Sequence, residues 1–171
     1  MRLFYFGILL ICQGQILPSE RFHVLEFTSS DPKIKERCVE LKKIEERQCG
    51  YVKETDDDRG RCIRLEFYQV GGKYFEAVDL PSQVTFVWTD SSLIETLLGS
   101  DGRLFSPVEM VRPNSVEYIL HGNTVRKVKE FYDGNFVRVD PLTNVSIQEA
   151  VLSLMYSGCH VKVNKRHNWR F

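Results

Sequence analysis

Ile63-Arg64-Leu65-Glu66-Phe67-Tyr68-Gln69-Val70 runs into Gly71-Gly72 and then into Lys73-Tyr74-Phe75-Glu76-Ala77-Val78-Asp79-Leu80. Two alternating stretches around a Gly-Gly pair spell a two-residue β-hairpin, because glycine accepts the positive φ angles of such a turn without a steric penalty. Pairing outward from the turn sets Gln69 opposite Tyr74, Phe67 opposite Glu76, Leu65 opposite Val78 and Ile63 opposite Leu80. One face then collects Ile63, Leu65, Phe67, Val78 and Leu80, and the other sets Arg64 against Asp79 as a cross-strand ion pair. Val84, Phe86 and Trp88 alternate in a third strand. An antiparallel sheet is therefore the expected frame.

Upstream of the hairpin, Phe22, Val24, Leu25 and Phe27 suggest a strand over 21–28. Asp31-Pro32 has the form of a helix start, an N-cap followed by proline at the first helical position. Ile34, Cys38, Leu41 and Ile44 recur at helical spacing among many charges, which predicts a long helix over 32–48 closed by Gly50. The stretch from Tyr51 to Arg61 reads as a polar loop. Its three consecutive acids, Asp56, Asp57 and Asp58, lack the alternation of a calcium loop.

Downstream, Ser92-Leu93-Ile94-Glu95 matches a capping box and predicts a short helix stopped at Gly99. Asp101–Asn114 is loop-like, with a short strand near Leu104–Phe105. Gly122-Asn123 and Asp133-Gly134 are turn formers, and they join Val116–His121, Thr124–Tyr132 and Asn135–Asp140 into a second meander. Ser146-Ile147-Gln148-Glu149 is another capping box and opens a helix to about Ser157. Cys159–Val163 reads as a last short strand. The expected fold is α+β: antiparallel meanders, one long N-terminal helix and a shorter C-terminal helix, stapled by disulfides.

The first fourteen residues form a basic start, the apolar run Leu3–Ile11, and Cys12-Gln13-Gly14 with small residues placed for signal peptidase. Residues 1–14 are read as a signal peptide and 15–171 as one secreted domain. The apolar run is shorter than the ~20 residues a spanning helix needs, so no membrane span is expected. Basic and acidic groups balance at 23 each, which argues against nucleic acid as a partner. The tail from Lys162 to Phe171 is basic and aromatic, suited to weak contact with an anionic surface. Asn144-Val145-Ser146 is a glycosylation sequon.

Once Cys12 leaves with the signal, Cys38, Cys49, Cys62 and Cys159 remain, an even set in an oxidising compartment. No Cys-x-x-Cys pair is present, so a zinc site is set aside. A helix over 32–48 would hold the Cα atoms of Cys38 and Cys49 roughly 16 Å apart at 1.5 Å per residue, beyond the ~7 Å that a disulfide tolerates. Of the two pairings left, Cys49–Cys62 with Cys38–Cys159 is preferred, because the loop between Cys49 and Cys62 is short.

His23, His121, His160 and His167 form no ligand pair, and no Gly-x-Ser-x-Gly elbow occurs. No catalytic residue, cofactor or metal ligand is assigned, and an enzyme is not expected. A helix followed by Arg64–Val70, Gly71-Gly72 and Tyr74-Phe75 resembles cystatins, in which a hairpin tip wedges into the cleft of cysteine proteases. That resemblance implies a binding edge at Gln69, Val70, Gly71 and Gly72, while Trp88, which follows Val87 rather than proline, departs from the family's second loop. The leading expectation is a secreted, non-catalytic protein that binds an extracellular protein or surface. A protease inhibitor presenting residues 69–72 is the alternative, ahead of a small secreted hydrolase.

Overall fold

The computed structural model describes residues 19–27, 32–75, 80–105 and 113–157. Its elements are β1 (Glu20–Phe27), β2 (Pro32–Glu36), α1 (Leu41–Arg47), β3 (Tyr51–Asp56), β4 (Cys62–Tyr68) and β5 (Gln83–Trp88). They continue with β6 (Ser92–Leu98), β7 (Ser115–His121), β8 (Thr124–Tyr132), β9 (Asn135–Ser146), α2 (Ile147–Ala150) and the 3₁₀ turn η1 (Leu152–Tyr156). All nine strands join one antiparallel sheet in the order β2-β1-β3-β4-β5-β6-β7-β8-β9. Apart from β1, which lies between β2 and β3, the sheet is a simple meander.

This corrects the expected α+β class. The long helix over 32–48 does not form. Pro32–Glu36 is instead an edge strand, with Leu25 opposite Ile34 and Phe27 opposite Pro32. Proline is tolerated at the first residue of an edge strand, so Asp31-Pro32 fits either state. Cys38 has a φ of 54°, in the left-handed region that a helix interior cannot hold. Only Leu41–Arg47 is helical, and Gln48 ends it with a left-handed C-cap.

The expected polar loop is β3, whose alternate residues Val52, Glu54 and Asp56 are buried. The expected helix at Ser92 is β6. There Ser92 and Thr89 share hydroxyl hydrogen bonds in the β5–β6 turn, and Leu93, Glu95 and Leu97 point inward. In both places a buried carboxylate occupies a core-facing strand position, which hides the period of two.

The β4 turn forms with a different register. Tyr68, not Gln69, faces Tyr74, and the Gln69 N–H donates to Lys73 O across the turn. The ladder partner of Arg64, Leu65 and Glu66 is β5, through Thr85, Val84 and Gln83. Arg64 bonds Gln83, while Asp79, its expected partner, lies outside the described residues. The second meander follows the turn chemistry, although β9 runs on to Ser146 and carries Pro141 at the sheet edge. The Ser146–Glu149 capping box is present, but it opens only one α-helical turn before η1.

Residues directly opposite one another on neighbouring strands share a face, and one face of this sheet is continuous core. Leu25, Val52, Leu65, Phe86, Tyr118 and Val125, drawn from β1 to β8, form a single apolar cluster with Val151 and Leu154 of the C-terminal turns. The sheet therefore curls around α2 and η1. On the outer face, Ile44 of α1 packs with Val24 and Val39 in a second, smaller cluster.

The expected Cys49–Cys62 bridge is corrected as well. Cys49 and Cys62 are free thiols, and no disulfide joins two described residues. The reason is β3 itself. Cys49 precedes the strand, whereas Cys62 pairs with Asp56 at its far end. Seven residues of strand at about 3.3 Å each hold them far beyond disulfide reach. The other half of the expected pairing, Cys38–Cys159, involves residue 159, outside the described residues. The signal peptide, the basic tail and the last short strand also lie outside them.

Candidate functional site

The inner face is not wholly apolar. Arg21 of β1 stands opposite Glu54 of β3, and His23 stands opposite Val52. Because β3 alternates, Glu54 and Asp56 project to the same side as Arg21 and His23. Arg21 Nη2 bridges Glu54 Oε1 at 2.8 Å and Asp56 Oδ2. The Cys38 N–H donates to His23 Nδ1 at 3.2 Å. That nitrogen must then carry a lone pair, so the ring proton sits on Nε2 and is donated to Glu54 Oε2 at 2.8 Å. Ser19 donates its hydroxyl to Asp56 Oδ2 at 3.2 Å.

With His23 neutral, two carboxylates face a single guanidinium. Burial, then the neighbouring Glu54 charge, pushes the Asp56 carboxyl above the usual carboxylate range, against the pull of Arg21. Burial alone would lower the Arg21 pKa, but hydrogen bonds and charge from Glu54 and Asp56 raise it. Asp56 is fully buried, and its Oδ1 is the one buried side-chain oxygen among the described residues with no hydrogen-bond partner.

A cavity of about 350 Å³ opens beside this cluster, between the curled sheet and the C-terminal turns. Its polar wall includes Arg21, Glu54 and Cys62, and its apolar wall includes Trp88, Ile147 and Leu154. Local contacts set the indole in place: Trp88 Nε1 donates to Cys62 O at 2.7 Å, and the Arg61 guanidinium lies 5.5 Å from the ring centroid. Asp57 in turn holds Arg61 by ion pairing at 2.7 Å. The roof is tied down at Ile147, whose N–H donates to Asn123 O, and at Ser157, whose carbonyl accepts from Arg37 Nη1 at 2.8 Å.

The residues singled out from sequence do not come together. Gln69, Val70, Gly71 and Gly72 form an exposed turn with Gly71 and Gly72 at positive φ and Val70 half exposed, beyond the C-terminal end of β4. Trp88 sits against Cys62 at the opposite end of that strand. The helix-to-hairpin order behind the cystatin resemblance is interrupted by β3. Asn144 lies within β9, and the sequon hydroxyl of Ser146 donates to Glu149 Oε2 at 2.6 Å. His121 is exposed at the end of β7.

The cluster of Arg21, His23, Glu54 and Asp56 was missed, because its members lie on strands more than thirty positions apart. One signal could have found it: Val52-x-Glu54-x-Asp56 is a period-two pattern with acids in place of apolar residues. No protein-family model, no curated protein and no solved structure matches this chain.

Proposed function

We propose that this chain is an exported, non-catalytic binding protein that holds a small organic molecule in the cavity beneath α2 and η1. The observation that carries this reading is the cavity itself. Its volume of about 350 Å³ falls among ligand sites, and a few polar groups converge on an otherwise apolar wall. The groups that could do chemistry there are committed elsewhere, which favours binding over turnover. Both His23 nitrogens are engaged. Burial, with Glu54 and Asp56 nearby, raises the Cys62 thiol pKa far above its ordinary value and leaves it a poor nucleophile. Export rests on the leader read in residues 1–14.

Tryptophan emission tests the reading. Trp169 is replaced by phenylalanine, so that Trp88 reports alone, and an apolar anionic dye is titrated in. Saturable 1:1 binding that is lost on filling the cavity with Gln148→Phe supports it. Binding unchanged by that substitution in a folded variant rejects it. A second reading rests on the half-exposed Val70 at the projecting 69–72 turn: inhibition of an extracellular cysteine protease. No inhibition of a papain-like panel at micromolar protein removes it.

A further inference from the structure

We propose that Glu54, Asp56 and Cys62 form a binding site for a zinc-type divalent transition-metal ion on the wall of the cavity. This inference stands on different observations from the ligand-binding reading and does not depend on it. One donor atom from each of the three residues, two carboxylate oxygens and a thiol sulfur, lies within 4.8 Å of the others, and all three residues are buried. Asp56 Oδ1, fully buried and without a hydrogen-bond partner, is a donor already stripped of water. A buried polar atom of that kind needs an explanation, and a cation supplies one.

Strand geometry brings the sulfur there. The β3–β4 register runs Thr55 opposite Arg64 and then Asp56 opposite Cys62, skipping Ile63. Without that bulge Ile63 would face Asp56, and Cys62 would turn to the outer side. Bulges re-aim side chains in this way and recur beside functional sites.

The donor set selects the ion. Calcium and magnesium call for six or more oxygens, whereas one thiolate with two carboxylates suits a borderline ion in four-coordinate geometry. Glu54 and Cys62 line the cavity, so the fourth position faces it. The charges also balance. Two carboxylates and a thiolate carry three negative charges, which a dication and the Arg21 guanidinium neutralise. On binding, the Cys62 S–H bond breaks, the sulfur keeps the electron pair for the metal, and the proton leaves to solvent. The hydrogen bond from His23 to Glu54 would orient that ligand, as outer partners do in metal sites.

The test uses the untagged full chain carrying Cys49→Ser, which removes the other free thiol among the described residues. Cobalt(II) chloride is added and the near-ultraviolet sulfur-to-cobalt charge-transfer band is followed. The expected result is a 1:1 band that zinc bleaches by displacement. Cys62→Ser should abolish it, and Asp56→Asn should weaken cobalt binding at least ~10-fold, the lower range seen even for outer-shell changes. Circular dichroism establishes that each variant is folded. Absence of the band in the Cys49→Ser chain overturns the proposal. So does a band that persists in folded Cys62→Ser, or one with unchanged affinity in folded Asp56→Asn.

Discussion

Tyr118 donates its phenolic hydroxyl to Glu95 Oε2 at 2.6 Å, with both residues buried on the inner face of neighbouring strands. Burial, and next the adjacent carboxylate, holds the Tyr118 pKa far above the ordinary tyrosine range, so the phenol remains a donor. A hydrogen bond to a charged group contributes roughly 1.5–3 kcal/mol. Tyr118→Phe should lower stability by that amount in urea unfolding with an unchanged m-value. A loss below ~0.5 kcal/mol, the range of surface substitutions, would show that the bond contributes little.

Asp57 closes the β3–β4 turn. Its Oδ1 accepts from the Arg59 and Arg61 N–H groups at 3.0 and 2.8 Å, and its Oδ2 accepts from Arg61 Nε at 2.8 Å. Burial would raise its pKa, but these hydrogen bonds and the Arg61 charge outweigh it and lower the pKa below the usual carboxylate value. A depressed folded pKa gives stability that is present above the unfolded value, about 3.9, and is lost as pH falls through the folded one. Asp57→Asn should therefore cost on the order of 1 kcal/mol at neutral pH and progressively less in acid. A cost independent of pH from 7 to below about 3 would contradict the assignment.

Cys49 and Cys62 should both label with a thiol reagent when the unreduced protein is unfolded. In the native state Cys62, buried and with a raised pKa, should react far more slowly than the partly exposed Cys49. A peptide joining Cys49 to Cys62 in a non-reducing map would require a β3–β4 ribbon unlike the one described.

Leu65 is fully buried on the inner face, whereas Val87 on the outer side of β5 is more than half exposed. Leu65→Ala should cost about 2–5 kcal/mol, and Val87→Thr should stay within about 0.5 kcal/mol. Thermal unfolding of the pair checks the period-two facing. Similar losses in both would mean that β4 and β5 are not oriented as found.

What could be read in advance was local. Gly122-Asn123 and Asp133-Gly134 encode their turns in backbone chemistry, and Ser146 with Glu149 encodes its own cap, so these stand where expected. What could not be read depends on partners distant in the chain. Glu54 and Asp56 look solvated until Arg21 and His23 are laid beside them. Ser92-x-x-Glu95 imitates a helix cap until Tyr118 supplies the Glu95 carboxylate with a strand-face partner. The candidate cluster was illegible for the same reason: charge at a core position mimics exposure.

The meander order has a kinetic consequence. All eight strand pairs are antiparallel; seven join strands consecutive in the chain and the eighth, β1 with β3, skips one strand, so their closure is short-range. The link from Arg37 to Ser157 spans 120 positions. Low-contact-order pairings form early, while distant contacts wait for the entropy of a long closure to be met. The chain should thus assemble its ribbons first and seat the C-terminal roof last, which leaves the floor of the cavity open to solvent in the final folding intermediate and in partial unfolding.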